Sequence, residues 1–215
     1  MLPVLAECRR RFVRRVAARE PEAAPDSVKE GFFVSSKIVV ITGSLRKGSN
    51  SVAMAEAFAA AARDKGLEVT TIDAARLDIG PCHACNSCYS AGRACTFDDD
   101  FNSVAEALVE ADGIVLACPV YWYTFPARVK ALIDKLYALY VGGHRFTGKR
   151  CALLSCCADS GMDTFDSINI AFDKSFELMG AQIVGKVEIP GVQEPGDIHK
   201  TDGEARAARL ADLFV

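Results

Sequence analysis

Cys82, Cys85, Cys88 and Cys95 stand at the spacing C-x2-C-x2-C-x6-C, with His83, Ala84, Asn86 and Ser87 between the first three. Thiols at that pitch can face one compact centre. The run is close to the one that ligates [4Fe–4S] in small ferredoxins, although its last interval is longer and no proline follows. Structural zinc sites come as two separated pairs, a different spacing. The same thiols can instead pack as small buried residues or do transient redox chemistry.

A second chemical stretch is Gly43-Ser44-Leu45-Arg46-Lys47-Gly48-Ser49-Asn50-Ser51, which leads from an apolar run into an amphipathic one. A helix that starts there offers unpaired N–H groups and a dipole that favours an anion. Ser44, Ser49, Asn50 and Ser51 add side-chain donors, and Arg46 adds a fixed positive charge. The composition suits a monophosphate. It is not a Walker A loop, because Ser49 and Asn50 follow Gly48. Nor is it a dinucleotide fingerprint, since Leu45 stands in the place of the second glycine.

The third stretch is Pro119-Val120-Tyr121-Trp122-Tyr123-Thr124-Phe125-Pro126, with aromatic residues between two prolines. Aromatic faces at the mouth of a sheet suit a planar heterocycle, and a proline-stiffened loop offers backbone N–H groups to ring atoms. Such a cluster can equally be core or an oligomer interface.

These stretches need elements to hold them. Lys37 to Thr42, Leu67 to Ile72, Gly113 to Cys118, Cys151 to Cys156 and Gln182 to Ile189 read as strands. Between them, Val52, Ala55, Phe58, Ala59 and Ala62 recur at helical spacing, as do Phe101, Val104, Ala105 and Leu108. Two more stripes are Val129, Leu132, Ile133 and Leu136, and Phe165, Ile168, Phe172, Phe176 and Met179; Glu204 to Phe214 closes the chain as a helix. Alternation of this kind gives an α/β fold: a doubly wound five-stranded parallel sheet with helices on both faces. Ligands of such sheets sit beyond the carboxyl ends of the strands, where the chain order reverses.

The Gly43-Ser44-Leu45-Arg46 and Ser49-Asn50-Ser51 segments, with Pro119-Val120-Tyr121-Trp122, Pro126, Lys130 and Ile133-Asp134-Lys135, resemble the two signatures of the NADPH-dependent FMN reductases. That family includes flavodoxin-like quinone reductases and iron–sulfur flavoproteins. The resemblance runs from Ser36 to the C-terminus and implies a flavodoxin-like fold with FMN as cofactor and NAD(P)H as co-substrate. It implies that Ser44, Arg46, Ser49, Asn50 and Ser51 hold the FMN phosphate. Pro119, Val120, Tyr121, Trp122, Tyr123, Thr124 and Phe125 would line the isoalloxazine, with Tyr121 and Trp122 packed nearby and the peptides around Thr124 at the pyrimidine edge. The loop Cys157 to Gly161 matches the family poorly.

No catalytic side chain is nominated, because a flavin carries its own chemistry. The implied activity is electron transfer from reduced nicotinamide to a quinone, a nitro or azo compound, a flavin or a protein. The iron–sulfur members carry a compact four-cysteine motif in the loop that corresponds to Cys82–Cys95. A carrier holding both FMN and [4Fe–4S] is therefore the alternative, and a zinc-stabilised binding module is a third reading from another class. Relatives pair or form tetramers, and Tyr137, Tyr140 and Val141 give an apolar patch at a helix end that suits a homodimer or homotetramer.

The chain has 215 residues, of which half are hydrophobic and a quarter charged, with a net charge of −3. That balance describes an ordinary globular protein and gives no basic field for nucleic acid. No apolar run reaches the roughly 18 residues of a membrane span. Nine cysteines, an odd count in a long chain, fit a reducing cytoplasm better than a disulfide scaffold. Residues 1–35 read as an N-terminal extension, an Arg-rich segment containing Cys8 and then a proline-broken linker, in front of a domain at 36–215. Cys118, Cys151, Cys156 and Cys157 fall in or beside strands as buried thiols, and His83, His144 and His199 read as loop or surface residues.

Overall fold

A computed structural model describes residues 36–215. The Arg-rich segment, the linker and Cys8 lie outside the described residues. The strands are β1 (Lys37–Thr42), β2 (Glu68–Asp73), β3 (Gly113–Pro119), β4 (Arg150–Cys156) and β5 (Gln182–Ile189). The helices are α1 (Asn50–Asp64), α2 (Phe101–Glu110), α3 (Ala127–Val141), α4 (Asp166–Met179) and α5 (Gly203–Leu210). Short 3-10 turns cover Met162–Phe165, Asp197–Lys200 and Ala211–Phe214. The last of these corrects the expected continuous helix from Glu204 to Phe214.

All the strand pairs are parallel, in the order β2-β1-β3-β4-β5. Strand alternation sorts the core into two layers. Val39 and Ile41 of β1, Leu116 of β3 and Leu153 of β4 pack against α2, α3 and α4 on one face. Ile38, Val40, Val115 and Leu154 point the other way, against Met54 and Phe58 of α1 and Leu210 of α5. Both faces are thus covered, which is why the central strands read as unbroken apolar runs. The edge strand β2 is mostly polar and only partly covered instead.

The chain moves outward from β1 in one direction to β2 and in the other to β3, so the order reverses between β1 and β3. The loops leaving those two strands therefore border the crevice where such sheets bind ligands. Gly43 begins the first loop with its N–H on the Ala117 carbonyl at 3.0 Å. A side chain there would overlap the Val129 methyl of α3 and the Cys118 Cβ, so only glycine lets β1 end this close to α3.

Candidate functional site

The loop after β1 ends at Ser49, whose hydroxyl caps α1 by accepting the Val52 N–H at 3.4 Å and lies 3.2 Å from the Ser51 hydroxyl. Ser44 Oγ accepts the Arg46 N–H at 3.3 Å. These short bonds curl the chain so that the backbone N–H groups of Gly48, Ser49, Asn50 and Ser51 have no carbonyl partner among the described residues. Exposed Arg46 and Lys47 flank them. Unpaired N–H groups, hydroxyls and nearby cations fit a phosphate monoester.

Asn50 does something the sequence does not reveal. Its Nδ2 donates to the Glu194 carbonyl at 3.0 Å and to the Val192 carbonyl at 3.4 Å, while Oδ1 accepts the Ile198 N–H at 3.2 Å. The carboxamide expected on the phosphate is committed to the loop after β5. Arg46 reaches the same loop, donating to the Gln193 carbonyl at 2.9 Å, and the Gly196 N–H returns to the Gly48 carbonyl at 3.1 Å. The loop after β4 joins this assembly, since Gly191 N–H donates to Asp159 and Val192 N–H to Cys157. Residues 190–198 are thus a third wall that sequence reasoning missed, because its bonds join positions some 145 residues apart.

The loop after β3 makes a two-residue turn. Tyr121 and Thr124 exchange N–H···O bonds of 2.9 and 3.1 Å, and between them Trp122 and Tyr123 take φ values of 47° and 63°. Two consecutive left-handed aromatic residues are unfavourable by about 1–2 kcal/mol each, and such strain gathers at functional sites. Trp122 is 93% exposed, so its ring stands clear of its own loop at the mouth of the crevice. The Thr124 N–H is held by Tyr121, and the Val120 N–H by the Cys156 carbonyl at 2.9 Å. In this loop the Trp122, Tyr123 and Phe125 N–H groups have no backbone partner among the described residues. Phe125 is buried in the core against α3, where it anchors the loop rather than lining the mouth. Pro119 and Val120 are half-buried at the base.

The four cysteines come together between β2 and α2. Cys82 and Cys85 are exposed and Cys88 and Cys95 half-buried, and all four line one cavity with Phe97, Lys135 and Tyr137. Left-handed Ala84, Asn86 and Tyr89, at φ 52°, 55° and 63°, wind the loop around it. Alternating left-handed residues turn successive N–H groups to one side, a geometry that suits anionic iron–sulfur centres. Burial pushes the Cys88 thiol up, and negative charge on Cys95, Cys82 and Cys85 pushes it further. The Cys95 N–H is pinned by Asn102 at 2.8 Å, and the His83 ring stacks on Phe97 at 4.5 Å. No group of three or more His, Cys, Asp or Glu side chains is gathered tightly enough for a single ion among the described residues. Mononuclear zinc needs all its sulfurs within about 2.3 Å of one ion. A four-iron cube places each thiolate on its own iron, so its four sulfurs need not converge on one point.

Cys118, Cys151, Cys156 and Cys157 are buried, and burial pushes the Cys151 and Cys156 thiols up to about 12. Nearby Arg46 offsets part of that rise at Cys156. His83, His144 and His199 are exposed.

A family model described as NADPH-dependent FMN reductase matches residues 36–190. This chain belongs to the NADPH-dependent FMN reductase family. Within the family, an iron–sulfur flavoprotein of Archaeoglobus fulgidus is 33% identical over 182 residues, 83% of this chain and 80% of that protein. An iron–sulfur flavoprotein of Methanosarcina thermophila is 38% identical over 99 residues, 46% of this chain and 51% of the relative, so the match spans about half of that protein's length. Among solved structures, an azoreductase from Bacillus anthracis superposes with a TM-score of 0.64 at 22% identity, covering 83% of this chain and 99% of that one. An NAD(P)H:quinone oxidoreductase from Methanothermobacter marburgensis gives 0.64 at 18% identity, covering 83% and 95%. These neighbours share the flavodoxin-like fold. No described helix is long and apolar enough to cross a membrane.

Proposed function

We propose that this FMN reductase family member takes electrons from NAD(P)H and passes them on singly through a [4Fe–4S] cluster held by Cys82, Cys85, Cys88 and Cys95. The observation that carries this reading is the meeting of all four cysteines around one cavity. The iron–sulfur flavoproteins to which the chain is similar support it. Bound FMN accepts two electrons from reduced nicotinamide and can release them one at a time, and a cluster takes up one.

The protein's part is binding and orientation. The N–H groups at the start of α1, with Ser44, Ser49, Ser51 and Arg46, hold the FMN phosphate. Asn50 keeps that loop seated against residues 190–198. The turn at Trp122 and Tyr123 presents ring faces and two unbonded peptides to the isoalloxazine, and Tyr121, Thr124 and buried Phe125 fix the turn. Helix α3 starts directly after that loop and carries Lys135 and Tyr137 to the cysteine cavity. From Ala127 to Lys135 the helix rises by about 12 Å, which keeps the two centres close. The exposure of Cys82 and Cys85 supports an outlet at the surface, where a protein acceptor can approach. The chain acts as a homodimer or homotetramer, with exposed Tyr137 and Val141 and half-buried Tyr140 in its contact.

Direct reduction of a quinone or azo compound at the flavin is the second reading, supported by the exposed aromatic turn. Anaerobic oxidation of NADPH and NADH by the FMN- and iron-loaded protein, followed with quinone, azo and one-electron acceptors, tests both. Transfer to one-electron acceptors that is lost in Cys85→Ser supports the cluster route. Transfer that survives Cys85→Ser supports the direct route.

A further inference from the structure

The wall of the cysteine cavity contains Lys135, which is its only lysine, arginine, aspartate or glutamate among the described residues. The position is unusual for an ammonium, because Lys135 is only 3% exposed. Removing such a charge from water is costly unless it is paired. Its partner is Asp99, 12% exposed, in a short ion pair, and the ammonium also lies 5.7 Å from the centroid of the Phe101 ring. Asp99 is its one hydrogen-bond partner among the described residues.

The pair has a direction. Lys135 lines the cavity and Asp99 does not. Behind the cavity, the Asp99 carboxylate also accepts the Gly80 N–H at 3.0 Å and the Phe101 N–H at 3.2 Å. Its position is therefore set by both ends of the cysteine loop. Asp100 adds a second clasp, accepting the Asp78 N–H at 2.7 Å. Lys135 thus forms part of the wall that the four thiols share, and the carboxylate paired with it is locked into the backbone that frames them.

We infer that Lys135 is a positioning residue that sets the reduction potential of the cluster, with Asp99 holding it and moderating its effect. The inference rests on the [4Fe–4S] reading given above. One electron, supplied by reduced nicotinamide through the flavin, adds one negative charge to the cluster without making or breaking a bond. Net charge and burial around a cluster set its potential. A nearby cation in a water-poor wall stabilises the more negative, reduced form and raises the potential. Its carboxylate partner, set further back, works in the opposite sense.

The test is an anaerobic redox titration of the full chain, reconstituted with FMN, ferrous iron and sulfide. Electron paramagnetic resonance of the reduced cluster and iron and sulfide analysis are read on the same samples. Lys135→Met is expected to move the midpoint to a more negative potential. Asp99→Asn, which leaves the cation unbalanced, is expected to move it to a more positive one. Lys135→Arg, which keeps the charge, is expected to stay nearest the wild type. Unchanged midpoints, or shifts of the same sign in Lys135→Met and Asp99→Asn at full iron content, overturn the inference and leave the cluster standing. If Lys135→Met takes up no iron, Asp99→Asn decides by the sign of its shift. Wild-type protein that binds FMN but no iron overturns the cluster itself, a separate outcome.

Discussion

The carboxamide of Asn50 donates to the Glu194 carbonyl at 3.0 Å and accepts the Ile198 N–H at 3.2 Å, joining the start of α1 to a loop near the other end of the chain. The phosphate-binding turn is therefore held by a clamp in addition to its own short bonds. Asn50→Ala leaves the buried Ile198 N–H without an acceptor. An unsatisfied buried group costs about 1–3 kcal/mol. The denaturant midpoint is expected to fall accordingly, and FMN affinity, read by quenching of its fluorescence, to fall with it.

Trp122 carries strain without packing in return. It sits at φ 47° and is almost fully exposed, so glycine there relieves the backbone and removes no buried contact. Trp122→Gly is expected to hold or raise stability, by up to about 1 kcal/mol. FMN is expected to bind more weakly. Thermal melts and FMN titration of the same preparation check the two opposite signs.

Gly142 ends α3 where the Tyr89 ring lies across it, so a methyl group there would overlap the ring. Tyr89 follows Cys88, and displacing its ring pulls on the half-buried end of the cysteine loop. Gly142→Ala is expected to cost about 1–3 kcal/mol through overpacking. It should also lower the iron-to-protein ratio after reconstitution. Gly142→Ala combined with Tyr89→Leu, which vacates the space, should recover part of that ratio.

The buried thiols give a pH signature. Burial raises Cys151 and Cys156 to about 12, and Cys118 is raised as well. The unfolded chain loses these protons from about pH 8.5, whereas the folded protein keeps them. Above that point the unfolded state binds fewer protons, so stability falls as pH rises. The slope approaches about 1.4 kcal/mol per pH unit for each such thiol, up to the folded value. Denaturation at pH 7.5, 9 and 10 checks it, with protein freed of iron. A thiol reagent at pH 8 should modify Cys82 and Cys85 promptly, and Cys118, Cys151 and Cys156 only after unfolding.

Much of the fold was legible because β-branched apolar runs such as Lys37 to Thr42 and helical stripes such as Phe101, Val104, Ala105 and Leu108 are local signals. Strand order was not, since register between β1 and β3 depends on packing that no single segment encodes. The spacing of Cys82, Cys85, Cys88 and Cys95 marked them as a group, and the structure sets all four around one cavity. Other site features were hidden for physical reasons. Asn50 looked like an anion donor because its partners lie far along the chain. The left-handed turn at Trp122 and Tyr123 lacked the glycine or asparagine that usually announces one. Phe125 could not be told from its aromatic neighbours without the core it enters. Lys135 left a faint mark: it stands three residues after Leu132 and four before Leu139, which puts an ammonium on the apolar stripe of α3.

The most direct test is anaerobic purification of the full chain followed by loading with FMN, ferrous iron and sulfide, gel filtration, and analysis of what stays bound. The account predicts about one FMN with quenched fluorescence and one four-iron cluster per chain, with the iron lost in Cys85→Ser and the FMN kept. A folded protein that leaves FMN fully fluorescent in the small-molecule fraction would contradict it.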